Sequence, residues 1–336
     1  MKSFTALSTR GQIQRLKQLA FTALTAYDLV PSRVVTIAHW DNTVFRIDSP
    51  TERYVLRISR TDSHKTPAMI QSEIQWLAIL HHDLQLDVPQ PIPTRNGLFV
   101  QECTHPMVPS PRICTLFRWL SGRVRAPSQY QIATMEQFGY LTGRLHHHAQ
   151  HFIPPPNFVR PILFYADPVT PSFAQGIDHS QSFCSADDYD LIRAAAARIQ
   201  DDLRRYGQTT TQFGLVHGDL HPWNCVVHGE RIGVIDFDDC GWGHYLYDIA
   251  AALLHFRDHP EYKALRAAFF RGYHRVRALS DADEQVLSLF YVIRRLVFIS
   301  WTALRATEPQ FRTTTESIIA NAVPDLRTYL DEPGHA

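Results

Sequence analysis

Leu215-Val216-His217-Gly218-Asp219-Leu220-His221-Pro222-Trp223-Asn224, followed closely by Val234-Ile235-Asp236-Phe237-Asp238-Asp239, is the stretch on which the reading of this chain turns. Each acid follows a short apolar run of strand type, Phe213–Val216 and Ile232–Ile235. A strand end on a buried scaffold delivers a side chain to an edge or cleft. The loop after Asp219 is long enough to turn the Asn224 amide back beside the carboxylate. Asp236, on the next hairpin strand, can close on the same ion. Two carboxylates and an amide form an all-oxygen set, which suits a hard cation such as Mg²⁺. Phosphoryl transfer needs such a set. A carboxylate accepts or orients the proton of the attacking hydroxyl, and a metal neutralises charge on the phosphates. An amide in place of a third carboxylate leaves room for the charge of a triphosphate. Taken singly, Asp219 and Asn224 are also ordinary Asx-turn residues. The ordered combination favours the chemical reading.

Upstream of this segment the pattern changes twice. Residues 12–27 carry a helical stripe of Ile13, Leu16, Leu19, Ala20 and Ala23. Strands are expected at Val34–Ile37, Thr43–Asp48, Tyr54–Ser59, Leu98–Glu102 and Ile113–Trp119, with a helix at Ala68–His82 stopped by Val88-Pro89-Gln90-Pro91. A second stripe runs through Tyr130–Ala149 and another through Asp187–Tyr206, whose acidic first turn suits the helix dipole. Helices are expected again at Tyr247–Phe256, Glu261–Ala278, Asp281–Arg305 and Phe311–Leu330. The stretch Phe152–Ser185, rich in Pro and aromatics, shows no periodicity. The expected fold class is α+β. A β-rich lobe covers residues 1–118, and a mainly helical lobe covers 119–336.

Bulk composition excludes several classes. Lys plus Arg (33) equals Asp plus Glu (33), so no field draws nucleic acid or an anionic membrane surface. Five widely spaced cysteines, without a C-x-x-C, argue against a disulfide framework or structural zinc. A reducing cytoplasm is expected, and the N-terminus shows no signal-peptide pattern. Val286–Leu304 is apolar but interrupted by Arg294 and Arg295, which reads as a core helix, not a membrane span. His146, His147 and His148 point in different directions on a helix and cannot share one ion; a solvated helix end is expected there.

His217-Gly218-Asp219-Leu220-His221-Pro222-Trp223-Asn224 resembles the H-G-D-x-x-x-x-N catalytic loop of the aminoglycoside phosphotransferase/choline kinase superfamily. Ile235-Asp236-Phe237-Asp238 is similar to that family's counterpart of the protein-kinase D-F-G, and Tyr247-Asp248-Ile249-Ala250 to the D-[LI]-A of its next helix. The resemblance implies a two-lobed, protein-kinase-like fold and an ATP- and Mg²⁺-dependent phosphotransferase. It makes Asp219 the catalytic base, Asn224 and Asp236 the metal ligands, and Asp248 a structural acceptor holding the catalytic loop. Arg57 takes the place of the family's phosphate-binding strand Lys, with Glu73 as its ion-pair partner. Arg is a planar fork where Lys is a point charge, so its pairing geometry differs. No glycine-rich phosphate loop is present. His39-Trp40-Asp41-Asn42-Thr43 is the candidate, with Asn42 or backbone amides over the phosphates. The hinge falls at Phe117-Arg118-Trp119-Leu120, where the backbone near Phe117 and Trp119 meets the adenine.

Three readings share this fold: a kinase of a small-molecule hydroxyl (amino alcohol, sugar or aminoglycoside-like), a Ser/Thr protein kinase of the stress-response branch, and an inactive binding module. The complete Asp219/Asn224/Asp236 set favours an active enzyme. The short chain between Asp236 and Asp248, without an A-P-E segment, favours a small acceptor, with Phe152–Ser185 and the C-terminal helices building its pocket. Asp238, Asp239 and the acids near Asp187 hint at a cationic acceptor. A metal-dependent hydrolase using His217, Asp219, His221 and Asp236 is the reading from another class.

Overall fold

The computed structural model describes residues 3–60, 65–163, 171–307 and 309–332. In chain order its elements are α1 (Thr9–Leu24), β1 (Arg33–His39), β2 (Asn42–Asp48), β3 (Arg53–Ser59), α2 (Pro67–Leu84), β4 (Pro91–Ile92), β5 (Gln101–Cys103) and β6 (Arg112–Arg118). There follow α3 (Ile132–His151), α4 (Pro171–Ser180), α5 (Ala186–Tyr206), β7 (Phe213–Val216), β8 (Cys225–His228), β9 (Arg231–Val234) and β10 (Gly241–His244). The chain ends in α6 (Tyr245–Leu254), α7 (Tyr262–His274), α8 (Asp281–Leu304) and α9 (Pro309–Asp331). They form two compact units. One comprises Met1–Arg123, Ile153–Arg160 and Val226–Asp238; the other comprises Val124–Phe152, Pro161–Cys225 and Asp239–Ala336.

The first unit is built on an antiparallel sheet of order β1-β2-β3-β6-β4, with β5 also on β6. Strand β2 alternates as a half-buried strand should, with Thr43, Phe45 and Ile47 inward. Helix α1 covers that face, its Leu16, Leu19, Ala20, Ala23 and Leu24 forming one core with Phe45, Ile47, Leu56, Ile58, Cys114 and Leu116. The Ser8 side chain caps the start of α1, accepting from the Gly11 amide. Thr66 caps α2 in the same way, with Pro67 at the first helical position, where no N–H is needed. The register places Arg57 of β3 between Val44 and Thr115.

Two expectations change here. The strand expected at Leu98–Glu102 shrinks to Gln101–Cys103. Leu98 closes a turn instead, exchanging hydrogen bonds with Thr94 around Gly97 at φ 79°. The segment read only as a helix stop contributes Pro91 and Ile92 as a short strand on β6.

The second unit is mainly helical, with β7 and β10 paired antiparallel. Helices α3 and α7 approach closely because glycines face backbone on both sides. A Cβ on Gly139 would stand 1.8 Å from the Phe269 carbonyl oxygen, and one on Gly272 1.8 Å from that of Glu136. Residues 164–170 of the Phe152–Ser185 stretch lie outside the described residues; its later part forms α4, which packs on α8. Helix α8 is long and apolar enough to cross a membrane by length and composition, yet most of its apolar window is buried. The expectation of a solvated helix end at His146–His148 fails for His146. It is wholly buried, bonded to Tyr273 (3.0 Å) and Asp248 (3.4 Å), while His147 is exposed.

Gly139→Ala and Gly272→Ala test the α3–α7 approach. Alanine gains up to about 1 kcal/mol of helix propensity, but overpacking against a rigid carbonyl costs about 1–3 kcal/mol or more. Both variants are therefore expected to unfold at lower urea than wild type. A midpoint equal to or above wild type would contradict the packing argument.

Candidate active site

The loop after β7 is pinned from beneath. Asp248, in the first turn of α6 and wholly buried, accepts the amide N–H of His217 (2.8 Å) on one oxygen and that of Gly218 (2.9 Å) on the other. Helix α6 can bury this acid because the loop amides and His146 satisfy its charge. Gly218 sits at φ 81°, and a Cβ there would lie 2.5 Å from the Asp239 carbonyl oxygen, so only glycine fits. His217 is buried as well, and its Nδ1 accepts the Asp219 amide at 3.2 Å.

Asp219 emerges from this loop with both carboxylate oxygens engaged. Arg294, on α8, donates to Oδ1 and forms an ion pair with the carboxylate. Oδ2 takes the Asn224 side-chain amide at 3.1 Å and His221 Nε2 at 3.2 Å. The imidazole of His221 is oriented by its other nitrogen. Nδ1 accepts the Asn224 backbone N–H, so the ring hydrogen stands on Nε2 and goes to Asp219. Burial opposes ionisation of Asp219, but Arg294 and His221 outweigh it and hold the carboxyl well below the usual carboxylate range. Arg294 itself has only 4% of its side chain exposed and also bonds the Tyr247 hydroxyl (3.0 Å). Asn224 spends its NH₂ on Asp219, through the carboxylate and the main-chain oxygen (3.0 Å). Its Oδ1 is then the atom with acceptor capacity for a hard cation.

The first unit holds a second charged group. Arg57 and Glu73 form a buried bidentate pair at 2.8 and 2.7 Å, as expected from strand and helix positions, and the guanidinium lies 5.2 Å from the centre of the Phe117 ring. Burial disfavours the charged guanidinium, but Glu73, Asp238 and Asp236 keep it protonated. Asn42 donates to Asp238 at 2.7 Å, Lys65 forms an ion pair with the same carboxylate, and Arg160 bonds the Asp238 main-chain oxygen at 2.7 Å. Burial pushes the Asp238 carboxyl up; Lys65 and Arg57 more than reverse this and hold it far below the usual range. Asp236 lies just past β9, not on it. It is exposed and held at φ 68°, a left-handed conformation that costs a non-glycine residue and concentrates at functional sites.

Thus Asp219 and Asn224 come together in one unit, and Asn42, Arg57, Glu73 and Asp236 lie in the other. Phe117 is buried in β6, and the Trp119 amide donates to the Arg53 carbonyl. Trp40 and Asp41 form the β1–β2 turn of the candidate nucleotide loop, with the Trp40 amide on the Asn42 carbonyl. Sequence reasoning missed Arg294, His221 as an orienting donor, Lys65, and Arg160. The one available signal was Arg294 itself, a charge in the middle of an apolar helix. The His217 Nδ1 accepts a loop amide, and the two ring nitrogens of His221 are taken by the Asn224 amide and by Asp219, which argues against these histidines as the metal ligands of the hydrolase reading.

This chain belongs to the phosphotransferase enzyme family, whose pattern matches residues 33–285, and it is an enzyme of the protein-kinase-like fold. A solved structure, that of the microcompartment-associated aminopropanol kinase, superimposes with a TM-score of 0.84 at 27% identity, covering 95% of this chain and 99% of that one. A solved amicoumacin kinase, in complex with AMP-PNP, Ca²⁺ and Ami, shares the fold at a TM-score of 0.75 and 19% identity, covering 92% and 96%. The amicoumacin kinase of Bacillus subtilis (strain 168) is 23% identical over 295 residues, 84% of this chain and 83% of that protein.

Asp248→Asn tests the loop anchor. The amide has one acceptor where the carboxylate has two, so one loop N–H loses its partner. Losing a charge-assisted bond in a buried site costs about 2–4 kcal/mol. The variant is expected to show a lowered thermal midpoint and amide exchange accelerated at His217 and Gly218. Wild-type protection of both amides would contradict the assignment.

Proposed function

We propose that the chain transfers the γ-phosphate of ATP, with Mg²⁺, to a hydroxyl group of a small molecule. The observation that carries this reading is the Asp219 carboxylate, fixed by Arg294, His221 and Asn224 on a loop whose amides are held by Asp248. Asp219 is the catalytic residue. Arg294 and His221 keep its carboxyl ionised, so it can accept a hydrogen bond from the acceptor hydroxyl and orient it. The loose transition state of phosphoryl transfer suits this, because the proton leaves late. The acceptor oxygen forms a bond to the γ-phosphorus as the bond to the ADP oxygen breaks, and the acceptor's proton passes to Asp219 and on to solvent.

Asn224 and Asp236 are the metal ligands in this reading. Their chemistry fits Mg²⁺: an amide oxygen left open by its NH₂ bonds, and an exposed carboxylate held in a special backbone conformation. Bound Mg²⁺ supplies neutralisation of phosphate charge. Residues 1–118 serve as the nucleotide-binding lobe and 119–336 as the catalytic and substrate lobe. Arg57, braced by Glu73, faces the phosphates; Asn42 and its turn cover them; the strand end at Phe117 and Trp119 meets the adenine. The AMP-PNP bound by the solved amicoumacin kinase, and the small acceptors that the relatives' names state, support ATP and a small-molecule acceptor. The chain from Asp236 to Asp248 is taken up by the 3₁₀ turn Phe237–Asp239, by β10, which is paired to β7, and by the start of α6, which argues against a peptide-docking loop and hence against the protein-kinase reading. Free cysteines fit a cytoplasmic location.

Asp219→Asn is expected to lower ATP-dependent phosphorylation by about 10²–10⁴-fold or more, with ATP affinity retained in calorimetry. Full transfer activity in a folded Asp219→Asn protein would overturn the role of Asp219.

Asp236→Ala and Asn224→Ala are each expected to weaken Mg²⁺-dependent ATP binding, Asp236→Ala more, since a carboxylate contributes charge and an amide only a dipole. Titrations with and without Mg²⁺ check this; equal affinity in wild type and Asp236→Ala would remove Asp236 from the metal site.

A further inference from the structure

One aromatic cluster in the second unit runs straight from the loop that bears Asp219. Trp223 stands between Asp219 and Asn224 in a short 3₁₀ turn, and 44% of it is exposed although the neighbouring Pro222 and Asn224 are buried. Its indole does not swing freely. The His255 ring, at the end of α6, meets it edge-on with centroids 4.7 Å apart and planes at 85°, and the His221 ring meets it at 5.6 Å and 79°. Phe298 of α8 backs His255 at 6.0 Å. The Arg294 guanidinium lies 4.3 Å from the centre of the Phe298 ring and binds Asp219. The cluster therefore joins the carboxylate to an exposed indole through packed groups. His255 Nε2 is buried with no hydrogen-bond partner among the described residues, and the ring contacts with Trp223, His221 and Phe298 are what surround it.

We propose that Trp223 is the acceptor-binding residue that sets specificity, with His255 and Phe298 as positioning residues behind it, and that the acceptor is a hydroxyl compound with a ring-sized apolar body. This rests on the phosphotransfer reading above. An exposed indole held by two rings on the loop that bears the catalytic carboxylate offers a flat apolar surface at little entropic cost. The hint of a cationic acceptor from Asp238 loses its basis, since Asp238 is occupied by Lys65 and Asn42.

The test is a matched pair of acceptors on one skeleton, 1-phenyl-2-propanol and 1-amino-2-propanol, with ATP and Mg²⁺. The wild-type enzyme is expected to favour the phenyl compound by about tenfold or more in kcat/KM. Trp223→Ala is expected to raise KM for the phenyl compound about tenfold with a smaller change in kcat, and Trp223→Phe to restore most of it, because the ring is the binding element. His255→Phe, which keeps an aromatic ring behind the indole, should retain the preference; His255→Ala should weaken it. Equal or better use of the amine by wild type would overturn the acceptor class. An unchanged KM in Trp223→Ala would overturn the wall. If neither compound is phosphorylated and no other hydroxyl acceptor is, the phosphotransfer reading fails separately. Quenching of tryptophan fluorescence by 1-phenyl-2-propanol in wild type then still supports the wall if Trp223→Ala abolishes it, and overturns it if the quenching is absent or unchanged.

Discussion

Asp248 accepts two consecutive amide N–H groups from the loop that follows β7, and that loop carries Asp219, His221, Trp223 and Asn224. A buried carboxylate is tolerated only where its lone pairs are filled, and here the backbone itself fills them. The dependence runs both ways. Without the acid the amides of His217 and Gly218 lose these acceptors inside the protein, and without the loop the acid keeps only His146 as a partner. The left-handed Gly218 lets the chain turn over the Asp239 carbonyl immediately before the carboxylate is presented. The position of Asp219 is thus set by main-chain hydrogen bonds, which are short and directional, before any side-chain contact is counted.

The ion pairs of the two units follow a common logic. Arg57 with Glu73 in one is a buried bidentate pair, and Arg294 with Asp219 in the other joins a buried guanidinium to a half-buried carboxylate; both are poor sources of net stability, because desolvation consumes most of the Coulomb attraction. Their value lies in geometry. The Arg57 fork leaves Glu73 few orientations, and Arg294 is fixed by spreading its nitrogens over Asp219, Tyr247 and the Gly218 carbonyl. Asp238 illustrates the cost of the alternative: it is kept charged in a buried position only by Lys65, Arg57 and Asn42 acting together.

The elements were legible where their pattern was local. The stripe of α1, the alternation of β2 and the acidic first turn of α5 belong to residues a few positions apart, and they form as expected. The strand expected from Leu98 shrank because Thr94 and Leu98 close a turn whose partners are not visible in β-propensity. His146 looked solvated among its neighbours. It is buried because Asp248 and Tyr273, far along the chain, meet it.

By itself the sequence determined the order of the chemistry: a strand, a His-Gly-Asp turn, an Asn, a second strand with its Asp, and an acid opening the next helix. It also determined the fold class and the family, because these depend on residue type and short spacing. Only the tertiary structure decided that Arg294 is the partner of Asp219, that His221 donates from Nε2, that Lys65 and Asn42 hold Asp238, and that Trp223 is packed edge-on by His255. Each of these joins residues on different elements through contacts of a few ångströms. Hydrogen bonds and ring contacts depend on where side chains end in space, and a one-dimensional pattern carries no record of that distance.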